Sequence, residues 1–156
     1  MGERRGRTPD DTTTAQAVRA GRVLARLAKQ VELALAPLDL TLAQYRLLGH
    51  VVQGHDSSAR LATRLAVSPP SVTSLVDGLV ARQLVERRAD PADRRRQPLV
   101  LTPRGVSLLR EADDAVDARL DGILGYLEED ARPGALAALA EWERALDARL
   151  EELIRQ

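Results

Sequence analysis

Two short runs of polar side chains near the middle of the chain have the chemistry to bind a polyanion. Small hydroxyl residues and prolines make up the first run, and three consecutive arginines make up the second. Hydroxyl groups and backbone N–H groups at the start of a helix can bond to phosphates and base edges in a major groove about 12 Å wide. Guanidinium groups suit phosphates and the negative potential of a narrow minor groove. The predicted nucleic-acid contacts are Ser68, Pro69, Pro70, Ser71, Thr73, Ser74, Arg94, Arg95 and Arg96.

Charge is distributed unevenly along the chain, although the formal net charge is zero. Residues 41–104 contain ten arginines against five acidic residues, whereas residues 105–156 contain six arginines against thirteen acidic residues. A basic segment next to an acidic one is typical of a polyanion-binding module on a scaffold that faces elsewhere. Clusters of charge are also common on solvated surfaces. The charge distribution therefore favours nucleic acid as a partner but does not establish it alone.

The hydroxyl run begins a predicted helix, and the spacing of apolar residues defines the helices before it. Residues 12–35 form a first helix that Pro37 stops, and Thr41 caps a second. Residues 58–65 form a short third helix. Proline suits the first turn of a helix, so a fourth helix begins at Pro69. One side of this helix carries the hydroxyl groups, and the other is an apolar stripe of Val72, Leu75, Val76, Leu79 and Val80.

The arginine run forms the tip of a predicted β-hairpin. Residues 84–88 and 98–101 are short, partly β-branched runs on either side of the tip. In isolation, the hydroxyl run is explained by an ordinary turn and helix cap, and the arginine run by a solvated loop. Two helices joined by a tight turn and followed by a hairpin with a basic tip form a winged helix-turn-helix. The order of the elements therefore favours nucleic-acid binding by both runs.

Two long helices follow the hairpin. Thr102 caps a fifth helix that has Pro103 in its first position, and the apolar spacing continues to Leu127. We predict that Pro133 and Gly134 break this helix before a last one begins. Packing is the simplest role for Trp142, because it falls in phase with the apolar stripe of that helix. The stripe, which a lone chain would leave exposed, consists of Leu136, Leu139, Trp142, Leu146, Leu150 and Leu153.

Five motifs between residues 41 and 105 match one known pattern. They are Leu42-x-Gln44-Tyr45-x-x-Leu48, the run from Leu61-Ala62 through Ser68-Pro69-Pro70-Ser71 to Leu79, Leu84-Val85-x-Arg87, Asp90-Pro91-x-Asp93-Arg94-Arg95 and Leu101-Thr102-Pro103-x-Gly105. As a set, they resemble the MarR family of winged helix-turn-helix regulators. Gln83 departs from the pattern, because the family usually has a glycine at the end of the recognition helix. We therefore expect a less permissive turn into the wing.

The resemblance implies a mainly α fold with a small β-hairpin wing, in which long dimerisation helices flank a winged helix-turn-helix. Residues 1–11 are predicted to be a disordered basic arm and residues 12–40 an N-terminal dimerisation helix. Residues 41–104 are predicted to form the DNA-binding lobe. Residues 105–156 are predicted to form the C-terminal dimerisation helices of one intertwined domain.

The resemblance also implies a function and roles for particular residues. It predicts a homodimeric, sequence-specific transcription regulator, a repressor released from a pseudo-palindromic site on double-stranded DNA by a small aromatic or anionic effector. By this resemblance, Asp93 braces the wing by pairing with Arg95, Arg95 enters the minor groove, and Arg94 and Arg96 lie nearer phosphates. The candidate effector-binding residues are Arg22, Arg26, Tyr45, Arg46 and His50.

Other classes of function have less support in the sequence. An enzyme is disfavoured, because the chain has no Gly-x-Ser-x-Gly elbow, Gly-rich phosphate loop or His-Glu-x-x-His motif. His50 and His55 do not share a helix face and there is no cysteine, so we predict no metal site, cofactor or disulfide. A winged helix that binds only protein is the remaining alternative, but the wing arginines argue against it.

The expected location of the protein is cytoplasmic. The first ten residues lack the apolar core of a secretory signal. No apolar stretch approaches the roughly 18 residues that a membrane span requires. We therefore predict neither export nor a membrane partner.

Overall fold

A computed structural model describes residues 11–54, 57–88 and 98–155, with side chains described from Arg19 onward. Within these ranges, six α-helices and one antiparallel β-hairpin follow one another in chain order. The elements are α1 (Asp11–Leu35), a one-turn 3-10 helix (Ala36–Leu38), α2 (Leu42–Val52), α3 (Ser58–Leu65), α4 (Pro69–Ala81), β1 (Val85–Arg87), β2 (Leu99–Leu101), α5 (Pro103–Leu124), a second 3-10 helix (Glu129–Ala131) and α6 (Arg132–Arg155).

Side-chain caps explain where four of the helices begin. The Thr41 hydroxyl accepts from the Gln44 backbone at 3.2 Å, and the Gln44 side chain accepts from the Thr41 backbone at 3.0 Å. This reciprocal capping box satisfies two backbone donors that would otherwise lack partners. Ser57, Ser68 and Thr102 cap α3, α4 and α5 in the simpler one-bond form. The predicted caps at Thr41 and Thr102, and the predicted bounds of the third helix, are confirmed.

The hairpin is shorter than the sequence predicts. Val85 pairs with Leu101, Glu86 with Val100, and Arg87 with Leu99. Leu84 was expected to belong to the first strand, but its N–H donates to the Leu79 carbonyl at 2.9 Å and thus closes the end of α4. Two three-residue strands therefore form the root of the wing.

The prediction that Pro133 and Gly134 break the fifth helix is wrong. Helix α5 ends at Leu124, several residues earlier, and Pro133 lies in the first turn of α6. Proline has no N–H to donate, and the first turn of a helix is where a missing donor leaves no intrahelical bond unmade. The guanidinium of Arg132 donates to the carbonyls of Gly125 and Leu127, so it satisfies acceptors exposed where α5 ends.

A single apolar core joins the wing and the helix-turn-helix to the long helices. It combines the end of α1, all of α2–α4, both strands and the first half of α5. Helix α6 contributes no buried residue, and Trp142 is 57% exposed in a single chain. The packing role predicted for Trp142 is therefore not satisfied within one chain. Among the described residues, no helix combines the length and apolarity needed to cross a membrane.

Candidate nucleic-acid interface

Helix α4 has one buried and one exposed face. Val72, Val76 and Leu79 are fully buried and anchor the helix in the core. Val80, which the predicted stripe included, is 39% exposed and lies at the edge of that face. The exposed face carries the hydroxyl groups of Ser71, Thr73 and Ser74. Because the apolar contacts fix the helix, its hydroxyl face is free to meet a ligand without repacking the core.

The hydroxyl groups at the start of α4 differ in how far the protein already uses them. Ser68 Oγ accepts from the Ser71 backbone at 3.4 Å and lies 2.8 Å from Ser71 Oγ, so Ser68 serves as the helix cap. Thr73 Oγ1 donates to the Pro69 carbonyl at 3.2 Å, which leaves its lone pairs able to accept another hydrogen bond. Pro69 and Pro70 are exposed in the first turn. A ligand would thus meet the exposed side chains of Ser71, Thr73 and Ser74, of which Ser71 already pairs with Ser68.

The predicted wing-tip residues Asp93, Arg94, Arg95 and Arg96 lie outside the described residues, so their assigned roles stay predictions. The root of the wing, formed by β1 and β2, also contacts α4 through an ion pair that no sequence motif indicates. Arg87 on β1 lies 3.6 Å from the carboxylate of Asp77 on α4. The Arg87 side chain is 39% exposed and that of Asp77 is 66% exposed, so solvent screens this ion pair and it contributes little to stability. It does connect the first strand of the wing directly to helix α4.

The junction between α4, β1 and α5 is closely packed around Thr102. Its hydroxyl donates to the Gln83 carbonyl at 2.6 Å and accepts from the Gly105 backbone at 3.0 Å, and its N–H donates to the Leu84 carbonyl at 3.1 Å. Gln83 itself has φ +58°, in the left-handed region. The turn therefore needs the conformation that glycine adopts most easily, and a glutamine holds it at some conformational cost.

The candidate effector residues on α2 face different neighbours. Tyr45 Oη donates to the Asp113 carboxylate on α5 at 2.7 Å. Arg46 instead donates to the Arg64 and Leu65 carbonyls, where it caps the end of α3. His50 is half-buried on the same helix.

The two candidate effector arginines lie on α1. Arg22 and Arg26 are exposed, and neither forms a hydrogen bond or ion pair within the described ranges. The bonds of the chain thus do not bring the five candidates into one cluster, and their effector role stays a prediction. The bond from Tyr45 to Asp113 joins residues 68 positions apart, which no local sequence pattern indicates.

The surroundings of Tyr45 alter the pKa of its hydroxyl group. Burial, the hydrogen bond to Asp113 and the charges of Asp113 and Asp117 raise the pKa of Tyr45 above its ordinary value of 10.0. Because the pKa is raised in the folded state, the associated stability is present below pH 10.0 and is lost as the pH rises through the folded pKa. The Tyr126→Phe variant leaves Tyr45 as the one tyrosine of the chain. In it, the alkaline absorbance change of the phenolate should occur above the pH at which free tyrosine ionises.

The control for this prediction is on the same helix. In the Tyr126→Phe background, Asp113→Asn should lower the titration midpoint, because it removes a negative charge and a strong acceptor. Asp114→Asn removes the same charge from the neighbouring position and should change the midpoint less. Equal midpoints for Asp113→Asn and the background would contradict the proposed bond.

The sequence of this chain is similar to those of known transcription regulators. Residues 38–96 match the MarR family. The chain is 36% identical over 107 residues to the HTH-type transcriptional repressor Rv2887 of Mycobacterium tuberculosis, an alignment that covers 68% of this chain and 77% of that protein. It is 39% identical over 85 residues to the uncharacterized HTH-type transcriptional regulator YhbI of Bacillus subtilis. That second alignment covers 54% of this chain and about half, 55%, of YhbI.

Two solved structures share the fold. The crystal structure of Rv2887 in complex with p-aminosalicylic acid has a TM-score of 0.69 and 29% identity, and the match covers 81% of this chain and 97% of that one. The transcriptional repressor CouR, solved bound to a 23-mer DNA duplex, has a TM-score of 0.70 and 26% identity, with 88% and 99% of the two chains covered. The fold class expected from the sequence is confirmed by these similarities and by the hairpin and helices described above.

Proposed function

Because the chain belongs to the MarR family, we propose that it is a sequence-specific DNA-binding transcription regulator, a homodimeric repressor that a small-molecule effector releases from a pseudo-palindromic operator. The observation that carries the proposal is the exposed hydroxyl face of α4 above a fully buried anchor of Val72, Val76 and Leu79. A helix held in this way can enter the major groove while its core contacts stay intact. The relatives described above are named as transcription regulators, which supports a regulatory and non-enzymatic role. The proposed place of action is the cytoplasm.

The effector part of the proposal draws on the α2 residues and on a relative. Rv2887 has been crystallised with p-aminosalicylic acid and with salicylic acid, which are aromatic and anionic. We propose an effector of the same class for this chain. Tyr45 supplies an aromatic surface where α2 meets α5, and Arg22 and Arg26 supply exposed cationic groups on α1.

The recognition helix provides the first test. Replacing Thr73 or Ser74 by alanine should weaken binding to the operator more than binding to random DNA, because a lost base contact costs about 1–3 kcal/mol where it is made. Two half-sites would double that loss. The operator is the duplex that the wild-type protein enriches from a random-sequence library, and affinity is measured by fluorescence anisotropy.

The fold of these variants provides the control. Both side chains are exposed, so the melting temperature should stay close to that of the wild type. By contrast, Val76→Ala opens a cavity in the core and should lower the melting temperature. Equal losses on operator and random DNA would make the hydroxyl groups phosphate contacts and would place sequence recognition elsewhere. A wild-type protein that enriches no duplex would refute DNA binding and leave a protein-binding winged helix.

Dimer formation is the second test. Helix α6 exposes a row of large apolar side chains, and with α1 it borders an open groove of about 410 Å³ that Leu24, Leu139 and Trp142 help to line. We expect a second chain to cover this surface, because monomeric proteins rarely expose so many apolar side chains in one area. Light scattering should give about twice the 17.0 kDa chain mass.

The single tryptophan of the chain reports on the same interface. Emission from Trp142 should shift to longer wavelength as dilution separates the dimer and exposes the indole to water. Leu146→Glu on the same face should favour the monomer, because it would bury a charge at the interface. A monomeric wild-type protein at micromolar concentration would contradict the model of two half-sites.

A further inference from the structure

Arg82 links the recognition helix α4 to the segment that follows α1. It is the C-cap residue, directly after the last residue of α4. Its Nη1 donates to the Asp39 carbonyl at 2.6 Å, and its Nη2 donates to the Leu38 carbonyl at 3.4 Å. The side chain is 29% exposed, so these bonds are partly shielded from water. Arg82 therefore joins α4 to the segment that connects α1 to α2.

The acceptors of these bonds are carbonyls that follow the end of α1. Asp39 adopts the left-handed conformation, with φ +51°, and its N–H closes back on the Ala36 carbonyl. Carbonyl groups at a helix C-terminus lack intrahelical partners and carry partial negative charge, so a guanidinium suits them. The Asp39 carboxylate lies 3.8 Å from Arg82 but is 97% exposed and adds little. The link therefore consists mainly of the two hydrogen bonds from Arg82 to the backbone carbonyls of Leu38 and Asp39.

Helices α1 and α5 pack against each other and form the scaffold that flanks the lobe. Its last residue, Leu35, is fully buried in the shared core. The other end of α4 carries the exposed hydroxyl groups. Arg82 and these hydroxyl groups are thus at opposite ends of one rigid helix, so Arg82 can affect recognition without touching DNA.

Because α4 is long, a small change in its angle at Arg82 moves the hydroxyl groups near its other end by a larger distance. Ser71, Thr73 and Ser74 lie 8 to 11 residues before Arg82, so at about 1.5 Å per residue they are roughly 12–17 Å from it along the helix. Pivoting the helix by about 5° at Arg82 would displace the hydroxyl groups by roughly 1–1.5 Å. A binding site tolerates displacements of only about 0.5 Å. Apolar contacts alone allow small sliding movements, whereas two directed hydrogen bonds define an angle.

We propose that Arg82 is a positioning residue for DNA recognition, which fixes the angle between α4 and the α1 scaffold and thereby the separation of the two recognition helices in the dimer. The inference rests on the proposed function. It predicts that loss of Arg82 weakens binding that needs both half-sites at once far more than binding to one half-site.

The test compares three variants. Arg82→Met keeps most of the stem and removes the donors, and Arg82→Lys retains a cation that can donate to one of the carbonyls. Arg119→Ala is the matched control, since Arg119 also bridges two helices by donating to Gln30 Oε1 at 2.8 and 3.0 Å, but it does so within the scaffold between α5 and α1. All three variants are melted to verify that they are folded.

The first measurement needs no DNA. The chain contains no cysteine, so Ser74→Cys introduces a single thiol for a nitroxide spin label on α4. Pulsed electron-spin resonance on the labelled dimer then gives the distance between the two recognition helices. We expect one narrow distance distribution for the labelled Ser74→Cys protein, and the same when Arg119→Ala is added. Adding Arg82→Met should broaden the distribution, and Arg82→Lys should give a width between these two. An unchanged distribution for Arg82→Met would overturn the proposal, whether or not the protein binds DNA.

The second measurement separates positioning from contact with phosphate. On the operator selected by the wild-type protein, Arg82→Met should bind at least about tenfold more weakly, while a duplex with one half-site should change less than about twofold. The dependence of affinity on salt should stay unchanged, because a residue that touches no phosphate releases no counterion. Equal losses on both duplexes with a flatter salt dependence would overturn the proposal and make Arg82 a phosphate contact. Failure of the wild type to bind any duplex would instead refute the proposed function.

Discussion

Gly105→Ala should lower the free energy of unfolding by about 3 kcal/mol or more, because overpacking against a fixed backbone is among the costliest core changes. A Cβ atom at this position would overlap the carbonyl oxygen of Leu84 and lie 2.9 Å from its carbonyl carbon. That carbonyl cannot easily move away. It accepts from the Thr102 backbone at 3.1 Å, and the Leu84 side chain is only 1% exposed.

Thermal and urea unfolding, followed by circular dichroism, would measure the effect. For a chain of this length, 3 kcal/mol corresponds to a fall in melting temperature of roughly 10 °C. Gly122→Ala is the matched control on the same helix, because no atom lies within 4 Å of the Cβ it would add. It should stabilise the protein by about 0.5–1 kcal/mol, since alanine favours a helix. A Gly105→Ala protein that melts like the wild type would show that α5 is not in close contact with the Leu84 backbone between α4 and β1.

Replacing Arg94, Arg95 and Arg96 together by alanine should reduce affinity for the operator by at least about a hundredfold at moderate salt. The dimer would lose six guanidinium groups, and each one that neutralises a phosphate contributes about 0.9 to the slope of log affinity against log salt. The slope should therefore decrease by up to about 5 if all six make such contacts. Affinity is measured across a salt series by fluorescence anisotropy.

A variant with the same loss of charge elsewhere separates specific contact from general attraction. Replacing Arg144, Arg149 and Arg155 on α6 by alanine removes an equal charge from the acidic end of the chain. This variant should keep most of the affinity and the slope, provided that light scattering shows a dimer. If the wing variant and the α6 variant bind equally well, the wing contributes only net charge.

Local signals made much of the lobe predictable from the sequence. Thr41 and Thr102 are cap residues directly before an apolar periodic run, and Pro69 marks the start of α4. The end of α5 was harder to predict, because Leu127 continues the apolar spacing that began at Val106. The bonds at Arg132 that cap this end involve a side chain beyond the break, and the apolar pattern gives no sign of them.

The residues that link the lobe to the scaffold had no sequence signal. Arg82 and Tyr45 bond to partners 43 and 68 positions away, and such contacts depend on how the helices pack. Trp142 illustrates a different reason. Its apolar phase on α6 predicts burial, yet one chain leaves it 57% exposed. The partner that would cover it is not part of the single chain from which the pattern was derived.

The continuous core limits how this chain can be divided into fragments or combined with parts of another protein. Leu35 lies before the predicted DNA-binding lobe and Leu109 and Val116 lie after it, yet all three pack in the same core as the lobe residues. A fragment of residues 41–104 would expose apolar surface that these side chains cover, so it would not be an autonomous folding unit. Transfer of this DNA specificity to another protein would therefore require both flanking helices. We therefore expect the recognition element to unfold as one cooperative unit with the end of α1 and the first half of α5.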